Sequence, residues 1–205
     1  MSLTLVEHAL ALHILTQLRS ETTPYEQYRL LTRNLTQILL TEATRYLSLS
    51  PKTIRTPMED MLGAELAKPI VVVPILRAGL GMLSAVTEML PNARIGYIGL
   101  QRDEETALAS AYYCKLPNLA GATAIVLDPM LATGGSAEQA IVRLMAEGAE
   151  QIILICAVAA PEGVAYLTEH FPDVHIVAGA VDRCLNAQKY ILPGLGDFGD
   201  RLFDS

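Results

Sequence analysis

The sequence predicts an α/β fold, a mainly parallel central sheet flanked by helices, and three observations predict it. Three short apolar runs, Ile70 to Ile75, Ala124 to Leu127 and Ile152 to Val158, are strand-sized. They end on Arg77-Ala78-Gly79, Asp128 and Pro161, and each is followed by a stretch of helical spacing, which is the pattern of βαβ units. Although 51% of the residues are hydrophobic, no window approaches the roughly 18 to 20 unbroken apolar residues of a membrane helix, so the apolar content belongs to a core. At 205 residues the chain is long enough to bury that core without disulfides or a structural metal. One domain over residues 1–205 is expected.

In chain order, residues 1–67 read as helices and an arm. Thr22-Thr23-Pro24 offers a cap with proline in the first turn, after which Tyr28, Leu31, Leu35, Ile38 and Leu39 recur at helical spacing. These helices are expected beside the sheet or against another subunit. Ser48 to Met58, with Pro51, Pro57 and alternating Thr53 and Arg55, reads as an extended arm. The core sheet is expected over residues 68–181. It takes a further strand at Ala93 to Leu100, a charged surface loop at Gln101 to Thr106 and a last strand at Val174 to Ala180. Residues 182–205 form a tail punctuated by Pro193, Gly194, Gly196 and Gly199.

Composition removes several classes of function. A formal charge of −7 argues against nucleic-acid binding, which needs a basic footprint, but a pocket can be locally positive on an acidic protein. Cys114, Cys156 and Cys184 are scattered without C-x-x-C spacing, which fits a reducing compartment. His8 and His13 miss the i, i+4 spacing of a helical metal pair. Met1 to Leu10 has neither a basic start nor a long apolar stretch, so no secretory signal is expected and the location is expected to be cytoplasmic, with no membrane partner.

In open α/β sheets ligands bind beyond the carboxyl ends of the strands. After the strand ending at Leu127 comes Asp128-Pro129-Met130-Leu131-Ala132-Thr133-Gly134-Gly135-Ser136, then a helical run through Ala140, Ile141, Leu144 and Met145. Gly134 and Gly135 can turn successive N–H groups inward, and the helix N-terminus that follows favours an anion. Thr133 and Ser136 add hydroxyl donors; in the plainer alternative one of them simply caps the helix. No lysine follows the glycines, so this is not the phosphate loop of a nucleotide triphosphatase. Asp128 at the strand end suits a ligand bearing hydroxyls as well as phosphate.

Asp128 to Ser136 resembles the phosphoribosyl-diphosphate loop of the type I phosphoribosyltransferases, in the form found in the uracil phosphoribosyltransferases. Many members of the wider superfamily carry a second acid here, whereas this chain has Pro129, as in the uracil branch. Val73-Pro74-Ile75-Leu76-Arg77-Ala78-Gly79-Leu80-Gly81-Met82, Arg102-Asp103-Glu104-Glu105-Thr106, Ala159-Ala160-Pro161-Glu162-Gly163 and Pro193-Gly194-Leu195-Gly196-Asp197 also resemble this family, in the same order. The resemblance spans most of the chain from Lys68 onward.

That resemblance implies a type I phosphoribosyltransferase fold with N-terminal helices, an extended arm and a C-terminal base-binding hood over 182–205. It implies transfer of the phosphoribosyl group of 5-phosphoribosyl 1-diphosphate (PRPP) to uracil, giving UMP and diphosphate. PRPP would be held by Arg77, Arg102, Asp128, Pro129, Met130, Leu131, Ala132, Thr133, Gly134, Gly135, Ser136 and Asp197. Uracil would be read by the main chain of Ile191, Gly196, Asp197 and Phe198. Asp197, Arg77 and Asp128 are the expected catalytic residues. Guanidinium groups suit the diphosphate side of the donor, and Mg2+, held mainly through the diphosphate and water, is the expected cofactor. The resemblance further implies a homo-oligomer, a homodimer or higher, and in some members stimulation by GTP.

The chain departs from the family pattern at Phe198, where alanine is common, at Phe203-Asp204-Ser205, where Phe-Gly-Thr is common, and at Gln101, which replaces a frequent aromatic. Two other readings stay open on the sequence: a regulatory protein that keeps the donor-binding fold and senses nucleotides, and a transferase for another nucleobase.

Overall fold

The β-branched runs in the middle of the chain become buried strands, and the computed structural model describes residues 3–102 and 109–205. Strand β1 (Leu3–Leu5) leads into helices α1 (Ala9–Arg19) and α2 (Tyr25–Ala43), then a hairpin of β2 (Leu49–Arg55) and β3 (Asp60–Leu66). Next come β4 (Ile70–Leu76), α3 (Leu80–Met89), β5 (Arg94–Ile95), β6 (Tyr97–Arg102), β7 (Ala109–Lys115) and β8 (Thr123–Leu127). The chain continues through β9 (Met130–Leu131), α4 (Gly135–Ala146), β10 (Gln151–Ala159), α5 (Pro161–His170) and β11 (His175–Val181). It closes with β12 (Cys184–Leu185), β13 (Ile191–Leu192) and α6 (Phe198–Phe203).

The main sheet runs β1-β11-β10-β8-β4-β6-β7, with β5 beside β4 and β9 beside β10. Its pairings are parallel except β6 with β7. Side chains alternate across it, so each central strand feeds two cores. Ile70, Val72, Ile125, Leu127, Ile153 and Ile155 face α1, α2, α3 and α6, which contribute Leu15, Leu35, Met82 and Leu202. Val71, Val73, Ala124, Val126, Ile152 and Leu154 face α4 and α5, which contribute Ala140, Ile141, Leu144 and Leu167. From β4 the chain moves outward to β6 on one side and returns to β8 on the other. The order therefore reverses between β4 and β8, where the register pairs Pro74 with Leu127.

Several expectations change in detail. Pro24 is itself the N-cap of α2 rather than its first helical residue, and the Thr23 hydroxyl donates back to the Gln17 carbonyl at 2.6 Å. The expected arm is the first strand of the β2–β3 hairpin, whose residues are almost all exposed. The strand expected at Ala93 to Leu100 breaks at Gly96, whose N–H donates to the Val72 carbonyl at 2.9 Å. Gln101 and Arg102, expected in a loop, extend β6 because Ser110 and Ala109 of β7 pair with them; Asp103, Glu104, Glu105 and Thr106 lie outside the described residues. The N-terminal part is not only helices and arm, since Leu3–Leu5 adds an edge strand to the main sheet. Among the described residues no helix is long and apolar enough to cross a membrane.

Candidate active site

The reversal between β4 and β8 opens a crevice at their carboxyl ends, the position where such sheets bind ligands. Arg77 follows β4 and Asp128 follows β8, so the two residues expected on sequence grounds to meet the donor leave neighbouring strands. Gly79 makes this closeness possible, because a Cβ there would lie 2.3 Å from the Leu127 carbonyl oxygen. Arg77 is exposed and makes no ion pair among the described residues; its guanidinium lies 6.0 Å from the centroid of the Phe203 ring. Arg102 ends β6, the strand on the other side of β4.

The loop after β8 is held from below by β10. The Pro129 carbonyl accepts from the N–H groups of both Ala157 and Val158, at 3.0 and 3.1 Å, and Ala160 donates to the Leu131 carbonyl at 2.8 Å. Short strand β9 then runs parallel to the end of β10. Gly134 is the N-cap of α4, at φ 92, with no side-chain cap. Of the two hydroxyls considered as caps, Ser136 lies inside the helix, and Thr133 Oγ1 accepts from the Gly135 N–H at a long 3.5 Å; the first turn of α4 keeps the positive dipole end that favours an anion. Left-handed backbone favours glycine at 134, and an added Cβ would also stand a tight 3.0 Å from a Tyr166 ring carbon. Asp128 and residues 130–137 line a small concavity of about 20 Å³. A wider groove of about 650 Å³ lies between α4 and the β6–β7 hairpin, but volume does not mark a phosphate site; clustered backbone N–H groups do.

Burial, and then the Asp128 carboxylate, push the Cys156 thiol well above its ordinary pKa. That cysteine is an inert part of the wall.

The C-terminal segment sits where β11 ends. Ile191 is buried and Phe198 is 2% exposed, its ring set edge-on to Tyr28 with centroids 5.3 Å apart. Both side chains enter the core, which leaves only the main chain of these positions to meet anything outside it. Asp197 is exposed and caps α6, its Oδ1 accepting from the Asp200 N–H at 2.9 Å. Gly196, also exposed, has φ 81. The ring of Phe203 brings α6 to Arg77, and Leu202 fills the space that a side chain at Gly81 would need. The end of the chain thus closes on the β4 turn.

Comparison with known proteins decides the family. The family model for uracil phosphoribosyltransferase matches residues 5–205. The chain belongs to the uracil phosphoribosyltransferase family. It is 47% identical over 198 residues to the uracil phosphoribosyltransferase of Malacoplasma penetrans, covering 96% of each. The solved AQ2163 protein from Aquifex aeolicus superposes with a TM-score of 0.93 at 39% identity, covering 98% of this chain and 97% of that one. A hypoxanthine-guanine phosphoribosyltransferase from Bacillus anthracis, at 12% identity, shares the fold alone, with a TM-score of 0.52 over 76% of this chain and 79% of that one.

In this family member the sequence reading missed the residues that hold the segment in place. Asp182, Arg19 and Arg201 bind loop backbone and were assigned nothing. Asp182 directly follows β11 as Asp128 follows β8, so the same signal was present. Gly163 stood out in the sequence only as part of a motif; its structural role is close contact with the loop after β8, since a Cβ there would lie 2.4 Å from the Ala132 carbonyl oxygen.

Proposed function

We propose that the protein transfers the 5-phosphoribosyl group of PRPP to uracil, with the donor across the β4–β8 crevice and the base against the segment from Ile191 to Phe198. The observation that carries the reading is the glycine-led start of α4, sharing a small concavity with Asp128 at the strand-order reversal, in a chain of this family. The 5′-phosphate rests on the N–H groups of residues 133–136, and Asp128 holds ribose hydroxyls. Arg77 and Arg102 meet the diphosphate. The bond from C1′ to the diphosphate oxygen breaks with its electron pair leaving on diphosphate, N1 of uracil bonds to C1′, and the N1 proton is released. Positioning and fixed charge supply most of the acceleration, because the developing oxocarbenium needs little side-chain chemistry.

Asp197 lies beside the reacting pair. Uracil presents an acceptor, a donor and an acceptor, which main-chain groups at Ile191 and at Gly196, Asp197 and Phe198 match; cytosine would leave buried groups unpaired at roughly 1 to 3 kcal/mol each. Mg2+ bound to the donor would neutralise the leaving group. Such an ion would be held by substrate oxygens and water rather than by a protein cage. The projecting hairpin, with Leu49, Met58 and Leu62 exposed by 65%, 86% and 69%, supports a homo-oligomer. We extend the proposal to stimulation by GTP, which the family resemblance implies, and to a cytoplasmic location, which the scattered cysteines support.

The test is a panel of uracil, cytosine, guanine, hypoxanthine and xanthine, each with PRPP and Mg2+, following diphosphate and nucleotide together. UMP from uracil alone is expected. A different nucleotide would move the error to the C-terminal segment, and PRPP or UMP binding without turnover would favour a regulatory role.

A further inference from the structure

We infer that Arg19 and Asp182 act as a pair of positioning residues that set the backbone of the base-reading segment. This rests on the proposal that Ile191 and Gly196 to Phe198 meet uracil. Asp182 is fixed at the carboxyl edge of the sheet, its N–H donating to the Ala159 carbonyl at 2.8 Å. Its side chain is 5% exposed. Arg19, the last residue of α1, meets it with both prongs, Nη1 to Oδ2 at 2.7 Å and Nη2 to Oδ1 at 2.6 Å.

What separates this pair from an ordinary structural ion pair is the third partner. Gly194 donates its N–H to Asp182 Oδ2 at 2.8 Å, and its carbonyl accepts from Arg19 Nη1 at 2.8 Å. Both polar groups of one loop residue are therefore held by one ion pair. Gly194 has φ 63, and a Cβ on it would lie 2.2 Å from the Ile191 carbonyl oxygen. It sits in the turn that joins Ile191 to Gly196, so tilting its peptide groups displaces the positions on either side.

A second brace comes from the far end of the segment. Arg201 donates to the Leu18 carbonyl at 2.5 Å, the Leu195 carbonyl at 2.7 Å and the Ser20 carbonyl at 2.5 Å. The carbonyls flanking Arg19 are thereby tied to the same loop. A buried ion pair is weak evidence for stability. A partly buried pair that also grips a loop backbone instead supplies fixed geometry, which a main-chain reader of a flat base requires.

The experiment measures steady-state kinetics of the full chain with uracil and PRPP varied separately, for Arg19→Ala, Arg19→Lys and Asp182→Asn, with Gly196→Ala beside them. Arg19→Ala is expected to raise the uracil KM roughly tenfold or more, the effect of one or two lost charge-assisted hydrogen bonds, with the PRPP KM within about twofold of wild type. Arg19→Lys keeps the charge but not the fork and should recover part of the loss. Should Arg19→Ala not fold, Arg19→Lys and Asp182→Asn carry the same criterion. Equal shifts in both KM values, or a lowered melting temperature with both KM values unchanged, would overturn the inference. If Gly196→Ala raises the uracil KM and the Arg19 and Asp182 variants do not, the inference alone falls. If Gly196→Ala leaves it unchanged, the base-reading assignment is wrong and the inference falls with it.

Discussion

Replacing Gly163 by alanine tests whether the loop after β8, proposed to hold the donor, is placed by close packing. Gly163 is buried in the first turn of α5, and the added Cβ would stand 2.4 Å from the Ala132 carbonyl oxygen, 3.1 Å from its carbon and 3.2 Å from Leu131 Cγ. Ordinary contact lies beyond 3.4 Å, so one side must yield by about 1 Å. Helix α5 is the stiffer side. It starts directly from the end of β10, where Ala160 is bonded to Leu131, and Leu167 anchors it in the core. The loop carrying Ala132, Thr133 and Gly134 therefore moves, and with it the N–H groups assigned to the 5′-phosphate.

A misplacement of about 1 Å is enough to cost on the order of a hundredfold in rate. Stability should change far less. Overpacking costs roughly 1 to 3 kcal/mol, while alanine in place of glycine inside a helix returns about 1 kcal/mol. Steady-state kinetics with PRPP varied at saturating uracil, alongside a thermal melt, separate the two. The expected result is a fall of kcat/KM for PRPP on the order of a hundredfold, with only a small shift in melting temperature. A Gly163→Ala protein within about twofold of wild type for PRPP would refute the packing argument, because a loop that absorbs such a shift is not placed by this contact.

Three further predictions follow from single contacts. Arg77→Ala should lower kcat/KM for PRPP by roughly ten- to a hundredfold, as expected for one charge-assisted contact, and Arg77→Lys should restore it only in part, since ammonium lacks the fork; kinetics with PRPP varied check both. Phe198→Ala should cost about 3 to 5 kcal/mol by urea denaturation, because it empties a core position and removes the edge contact with Tyr28. Wild type should turn over uracil with phenylalanine at that position, and activity seen only in the alanine variant would contradict the inward orientation of the ring. A thiol reagent should label exposed Cys114 first and Cys156 only on unfolding, since burial keeps the latter protonated; mass spectrometry of the labelled peptides reads the order.

The parallel core was legible because its signal is local. Ile70 to Ile75, Ala124 to Leu127 and Ile152 to Val158 are continuous apolar runs, and each became a strand buried on both faces. What escaped was set by partners distant in sequence. Leu3–Leu5 is too short to show a period and is a strand only because β11 offers an edge. Gln101 and Arg102 are charged and polar, yet pair with Ser110 and Ala109. Turn chemistry also misled in one place, because a proline can be the cap itself as well as the first helical residue, and Pro24 is the cap.

The two acids that follow strands show how far local pattern reaches. Asp128 and Asp182 occupy the same kind of position, one after β8 and one after β11, and sequence pattern treats them alike. Their surroundings separate them. Asp128 lies at the strand-order reversal and lines one concavity with the glycine-led start of α4, the place proposed here for the hydroxyls and phosphate of the donor. Asp182 is almost wholly enclosed, and its oxygens are taken by Arg19 and by the N–H of Gly194. The guanidinium that decides its role lies 163 positions away in the chain. A strand-end carboxylate thus announces where a residue stands; whether it receives a ligand or holds the backbone that does depends on which cation the fold brings to it.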